Sequence, residues 1–115
     1  MTEPTRTPSG LLLVSMDVDP AHEAEVNRWY WEEHFPERMG CPGFAWGARF
    51  RAVEGSAPDD PRYVAAYLMD SPAVLESADY ARIAGPSEWT RRILPHIRYR
   101  RSVYSRIAPD DTSPG

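Results

Sequence analysis

A chain of 115 residues has room for one domain and little more. Hydrophobic residues make up 42% of it and aromatic residues 11%, enough to build a packed core and too many for a chain that stays unfolded. Thirteen basic residues against 17 acidic ones leave a formal charge of −4, the reverse of the basic stripe with which nucleic-acid binders displace counterions. All thirteen are arginine, so Schiff-base and P-loop chemistries, which need a lysine ammonium, are excluded. The single cysteine, Cys41, rules out an internal disulfide and a cysteine-rich zinc site. No apolar run approaches the roughly 20 residues that cross a bilayer, and no basic-then-apolar secretory signal opens the chain. The expectation is a cytoplasmic protein with neither nucleic acid nor membrane as a partner.

Residues 1–9 and 108–115, rich in Pro, Ser, Thr and Asp, are expected to be frayed tails around one domain at 10–107. A β-type run over 11–18 ends at Asp19-Pro20, a cap followed by a proline at the first helical position, which predicts a helix from there to Phe35. Pro36 should stop it, because the residue before a proline is pushed out of the helical region. Phe44, Trp46, Ala48 and Phe50 alternate with Ala45, Gly47, Arg49 and Arg51, the period of a strand. Residues 54–61 carry Gly, Ser, Pro and Asp and form a loop. Residues 62–69 are apolar on both alternating sets, which suits a central strand. Ser71-Pro72 repeats the cap-then-proline signal and opens a helix to Ala84; Gly85-Pro86 breaks it, and 87–94 adds one or two turns. A last strand covers 96–107, with Arg98, Arg100 and Arg106 as a polar edge and His96 exposed at its start. The order β-α-β-β-α-β predicts an α+β, ferredoxin-like domain: a four-stranded antiparallel sheet with helices on one face. The other face is left bare, and a second copy of the chain is the expected cover, giving a homodimer.

The first helix carries the anomaly. At about 100° per residue, Asn27 shares a face with Ala24, Tyr30 and Trp31, and His34 returns to within roughly 20° of it, while Arg28, Glu25, Glu32, His22 and Glu33 lie opposite. Two polar side chains, with Glu23 as a third candidate, therefore sit on the apolar face, where each costs on the order of 1–3 kcal/mol unless hydrogen-bonded. They are either satisfied core groups, His34 also favouring the negative helix end, or the lining of a ligand cavity with His34 as a proton carrier. Trp31 and Tyr30 suit the walls of such a cavity and suit plain core equally. Tyr80 and Trp89, later in the chain, are candidates for the same lining, with core packing as the alternative reading. Arg49 is a candidate for a carboxylate or phenolate, or for a solvated or dimer-rim role. Asp19, His22 and Glu23 cluster at the helix start, but no further histidine or carboxylate stands at ligand spacing in the sequence, so no metal is expected.

The run Asn27-Arg28-Trp29-Tyr30-Trp31-Glu32-Glu33-His34-Phe35-Pro36-Glu37-Arg38, followed by Pro42-Gly43-Phe44, resembles the N-x-W-Y-x-x-x-H-x-P-E…P-G-F pattern of EthD-like dimeric α/β-barrel proteins. Glu76-Ser77-x-x-Tyr80 and Gly85-Pro86-Ser87-x-Trp89-Thr90 are similar to that group as well, and the likeness spans residues 11 to 107. The resemblance implies a ferredoxin-like subunit that pairs its bare sheet face with a partner's, and a ligand cavity between helices and sheet. It implies a cofactor-independent acid–base enzyme of isomerase, cyclase or dehydratase type on a small apolar, aromatic or polyketide-like carbonyl compound. His34 would move the proton, and Asn27 or Tyr30 would hydrogen-bond the enolate oxygen or orient the imidazole. Trp31, Tyr80, Trp89 and Arg49 would contact the substrate, with no cofactor. The other readings are a cofactor-free monooxygenase, a non-catalytic binder of a hydrophobic metabolite, and a haem protein with His34 as axial ligand. Fold alone does not choose among them.

Overall fold

In β1 (Gly10–Val18), Leu12, Val14 and Met16 alternate with Leu11, Leu13 and Ser15, and only the first set is buried. The structure, a computed structural model, describes residues 7–110, so most of the two expected tails lies outside the described residues. Ser9 hydrogen-bonds the Asp70 carbonyl through its hydroxyl at 2.8 Å, which ties the segment before β1 to a residue 61 positions on. Asp19 caps a 3₁₀ turn (Pro20–His22), its carboxylate accepting from the Ala21 N–H at 3.2 Å. The chain continues as α1 (Glu23–Trp29), a π-turn (Tyr30–His34) and α2 (Phe35–Met39).

The helix therefore runs through Pro36 where the sequence predicted a stop. The Phe35 N–H reaches back five residues to the Tyr30 carbonyl, a wider turn than α. That extra residue relaxes the backbone just ahead of Pro36, whose ring would otherwise press on a carbonyl four residues back. Gly43, at φ 98°, turns the chain into β2 (Phe44–Arg51), where a side chain would also collide with Val74. After β3 (Tyr63–Met69) the predicted single helix is two pieces: a 3₁₀ turn (Pro72–Glu76), then α3 (Ala78–Ala84). Ser77, in extended conformation, separates them and caps α3 by accepting from the Tyr80 N–H at 3.1 Å. Ser87 caps α4 (Glu88–Ile93), and a 3₁₀ turn (Leu94–His96) leads into β4 (Ile97–Ser105).

The sheet order is β2-β3-β1-β4, antiparallel throughout, with helices on one face. This is the ferredoxin-like α+β arrangement expected from the sequence. A bulge between Phe44 and Trp46 changes the phase of β2. Phe44 and Arg49 turn toward the helices, and Trp46 and Phe50 toward the bare face, so these aromatics do not share one side as simple alternation predicts. Among the described residues no helix is long and apolar enough to cross a membrane.

Glu33, expected on the solvent side, instead locks the helices together. Its Oε2 accepts from Trp29 Nε1 at 3.1 Å, Ser87 Oγ at 2.6 Å and Thr90 Oγ1 at 3.1 Å, which ties the π-turn to the start of α4. Replacing Glu33 by alanine leaves Trp29 and Ser87 only Thr90 Oγ1 as a part-buried acceptor and is expected to cost about 1 kcal/mol of folding free energy, read as a lower urea midpoint at unchanged slope.

Candidate functional site

Helices and sheet enclose a cavity of about 300 Å³. Leu12, Val14 and Met16 of β1 form its apolar floor. Trp29, His34 and Arg38 wall it on one side, and Tyr80, Ile83 and Leu94 on the other. Tyr67 closes the inner end, and Tyr99 and Arg101 come from β4.

His34 reaches this space because of the π-turn. One added residue rotates everything after it by about 100°, so Asn27 and His34, seven apart, end about 120° apart instead of aligned. The imidazole lies 4.7 Å from the Trp29 ring and 5.0 Å from the Tyr30 ring. Burial drives its pKa down to about 3, and the Arg38 and Arg49 guanidinium groups add to the shift, so the ring is neutral near pH 7. The unfolded chain binds a proton at this histidine below its ordinary 6.5 and the folded chain refuses it, so stability falls as pH drops from 6.5 toward 3. Between pH 7 and pH 5, above the carboxylate range, wild type is expected to lose about 2 kcal/mol more than His34→Gln, measured by urea unfolding at both pH values.

Arg38, Arg101, Glu37, Thr90 and the phenols of Tyr67, Tyr80 and Tyr99 make up the rest of the polar lining, with burial and the nearby Glu33 carboxylate raising the pKa of Glu37. The Arg38 guanidinium lies 5.4 Å from the centre of the Tyr80 ring, and Arg101 Nη2 donates to the Tyr80 hydroxyl at 3.3 Å. Because that hydroxyl accepts from Arg101, its own hydrogen is free to donate into the cavity. The hydroxyls of Tyr30 and Tyr67 share a hydrogen bond of 2.5 Å, and burial raises both phenols, so both stay protonated.

The other candidates lie elsewhere. Asn27 Nδ2 donates to Tyr63 Oη at 3.2 Å and faces a second, shallower hollow with Trp31 and Arg49. Arg49 is stacked there, 4.2 Å from the Tyr30 ring and 4.5 Å from the Tyr63 ring. Glu23 accepts from Arg62 Nε at 2.7 Å and from the Tyr63 hydroxyl, so it is a surface tie and not part of the cavity. Tyr30 is core, behind the cavity wall and in contact with its lining through His34 and Tyr67. Trp89 lines neither space; Arg28 covers its ring at 5.7 Å. Of the seven candidates, the fold thus brings His34 and Tyr80 together and sets Asn27, Trp31 and Arg49 apart. Arg38, Tyr67 and Arg101 were missed, although Arg101 follows Ile97 and Tyr99 in strand alternation and Arg38 stands four residues after His34.

No family model and no curated protein matches the sequence. Solved structures do. A dimeric ferredoxin-like protein from an uncultured marine organism superposes with a TM-score of 0.67 at 13% identity, over 96% of this chain and 97% of its own. This fold is the dimeric ferredoxin-like proteins' fold. SnoaB, a cofactor-independent oxygenase from Streptomyces nogalater, matches at TM-score 0.57 and 14% identity over 91% of this chain and 100% of its own. MhuD, a haem degrader from Mycobacterium tuberculosis, matches at 0.59 and 14% over 89% and 99%. These likenesses establish the architecture, and the chemistry has to come from the cavity.

Proposed function

We propose that this chain is a cofactor-independent acid–base enzyme that takes a proton from a phenol, or from carbon next to a carbonyl, in a small aromatic or polyketide-like compound. The observation that carries this reading is a neutral imidazole, His34, in the wall of a largely apolar cavity that also holds Arg38, Arg101, the Tyr80 hydroxyl and the Glu37 carboxylate. An uncharged ring can accept a proton, but before substrate binds its conjugate acid is disfavoured by burial and by Arg38. A bound substrate reverses that balance. As the proton moves to His34, negative charge appears on the substrate oxygen, where Arg38 and the Tyr80 hydroxyl stabilise it. The new anion in turn stabilises the imidazolium. Returning the proton to a different atom gives isomerisation or cyclisation.

A cofactor-free oxygenase is the second reading, and the likeness to SnoaB favours it. The same anion would pass one electron to dioxygen, and recombination of the two radicals would form the carbon–oxygen bond. Haem finds a suitable neutral imidazole in His34 but little room. At about 300 Å³ the cavity lies at the lower end of small-ligand sites, a size for two or three fused rings and not for a porphyrin. The EthD-like motif supports the same placement of His34. The apolar strip on the bare sheet face, with Trp46 at 47% and Phe50 at 53% exposure, supports assembly as a homodimer.

Solvent deuterium exchange tests the reading. The protein is mixed in D₂O with anthrone- and tetralone-type ketones, and exchange at the acidic carbon is followed by NMR. Catalysed exchange that disappears in His34→Gln supports proton transfer, whereas tight binding with no exchange would leave a binder.

A further inference from the structure

We propose that Asp19, His22 and His96 form a binding site for a borderline divalent transition metal of the zinc type, separate from the His34 cavity. The sequence shows two of these residues at a helix start and the third 74 positions later. The fold brings them together because the end of β1 pairs with the start of β4, Val18 opposite Ile97. The Asp19 N–H donates to the His96 carbonyl at 2.8 Å, and the His22 N–H donates to the Asp19 carbonyl at 2.9 Å, so backbone bonds hold all three residues in place.

The side chains converge. Asp19 Oδ1 is engaged by the Ala21 N–H at 3.2 Å, which aims Oδ2 at the two imidazoles. His22 Nδ1 lies 3.1 Å from that oxygen and His96 Nδ1 3.8 Å from it. The two rings are stacked, 3.5 Å between centroids and 13° between planes. One ligand atom from each residue lies within 4.8 Å of the other two. Metal–ligand bonds of about 2.0–2.2 Å in a tetrahedral site put ligand atoms roughly 3.4 Å apart, a value that the two distances to Asp19 Oδ2 bracket, and binding requires the stacked rings to swing apart until each ring plane contains the ion.

Chemistry selects the ion. Two imidazole nitrogens and one carboxylate oxygen suit Zn²⁺, Co²⁺, Ni²⁺ or Cu²⁺, whereas Mg²⁺ and Ca²⁺ prefer all-oxygen shells. The side chains remain 45%, 38% and 30% exposed for Asp19, His22 and His96, so an ion enters from water and keeps open positions for solvent. The Ala21 N–H on the non-ligating oxygen supplies the outer support that fixes a carboxylate ligand. A metal here would staple the beginning of the long helix to the beginning of β4, next to Leu94 and Ile97 at the cavity wall.

Cobalt titration of the tag-free full chain tests this. The expected result is one equivalent of Co²⁺ bound with the intense visible bands of a low-coordinate site, displaced by Zn²⁺, and a melting temperature that climbs with zinc concentration. Asp19→Ser keeps a helix cap and His96→Phe keeps a stacked ring, yet each removes a ligand, so both should fold while losing at least tenfold in affinity. Wild type showing only the pale spectrum of hydrated Co²⁺, or the two variants binding as wild type does, would overturn the site. Exchange chemistry at His34 is read separately, so either proposal can fail without the other.

Discussion

His34→Gln is expected to lower kcat on the cognate ketone or phenol by about 10²- to 10⁴-fold, the usual contribution of a positioned general base. Glutamine retains a hydrogen-bonding head of comparable reach but cannot take up a proton, so the comparison isolates proton transfer from cavity shape. Ligand affinity should change only a few-fold, because the floor of Leu12, Val14 and Met16 and the aromatic walls are untouched. The split between kcat and affinity is the decisive readout. A variant that turns over as fast as wild type removes His34 from the chemistry. The wild-type pH profile of kcat adds a second check. Since the pKa of His34 is held down to about 3 before substrate binds, the acid limb of kcat/KM should lie well below the ordinary histidine value of 6.5.

Trp46→Glu combined with Phe50→Glu is expected to convert a dimer into a monomer. Both side chains lie on the sheet face away from the helices, about half exposed at 47% and 53%. Leu11, Leu13, Val64 and Leu68 continue that strip across β1 and β3 on the same face. Pairing two such faces puts four new carboxylates where four apolar rings would be buried. At several kcal/mol per unpaired charge, the dissociation constant should rise by at least about 10³. Light scattering at micromolar concentration then reads a mass near the 13.1 kDa of one chain instead of twice that. An unchanged dimer would move the interface to another surface. The helical face and the His34 cavity lie on the opposite side of the sheet, so far-UV circular dichroism should be preserved.

Much of the fold was legible because punctuation and period agreed. Asp19-Pro20, Ser71-Pro72 and Ser87 mark the helical starts, and the two apolar sets of residues 63–69 mark a central strand. The failures have local physical causes. Pro36 is a stop signal in an α-helix, and nothing in residue propensity announces that Tyr30–His34 will widen to accept it. The bulge beside Ala45 reverses the faces of β2 in the same way, carrying Phe44 into the core. At the site, His34 was found because an imidazole on an apolar helix face is unusual, but its expected neighbour Asn27 was placed by an uninterrupted helical count. Arg38 and Arg101 went unnoticed because charged residues near an element's end read as solvent-facing. His96 was read as lying apart from the helix start, although the antiparallel pairing of β1 with β4 brings it to Asp19.

The widened turn also bears on how other chains should be matched to this one. It amounts to a single inserted residue absorbed between Trp29 and His34, after which the helical spacing resumes one position out of step. In a homologue built with a regular spiral, the equivalent imidazole would come one position earlier, four residues after the tryptophan instead of five. Gap-free superposition of the two motifs would then pair that histidine with Glu33, and the shared base would go unseen.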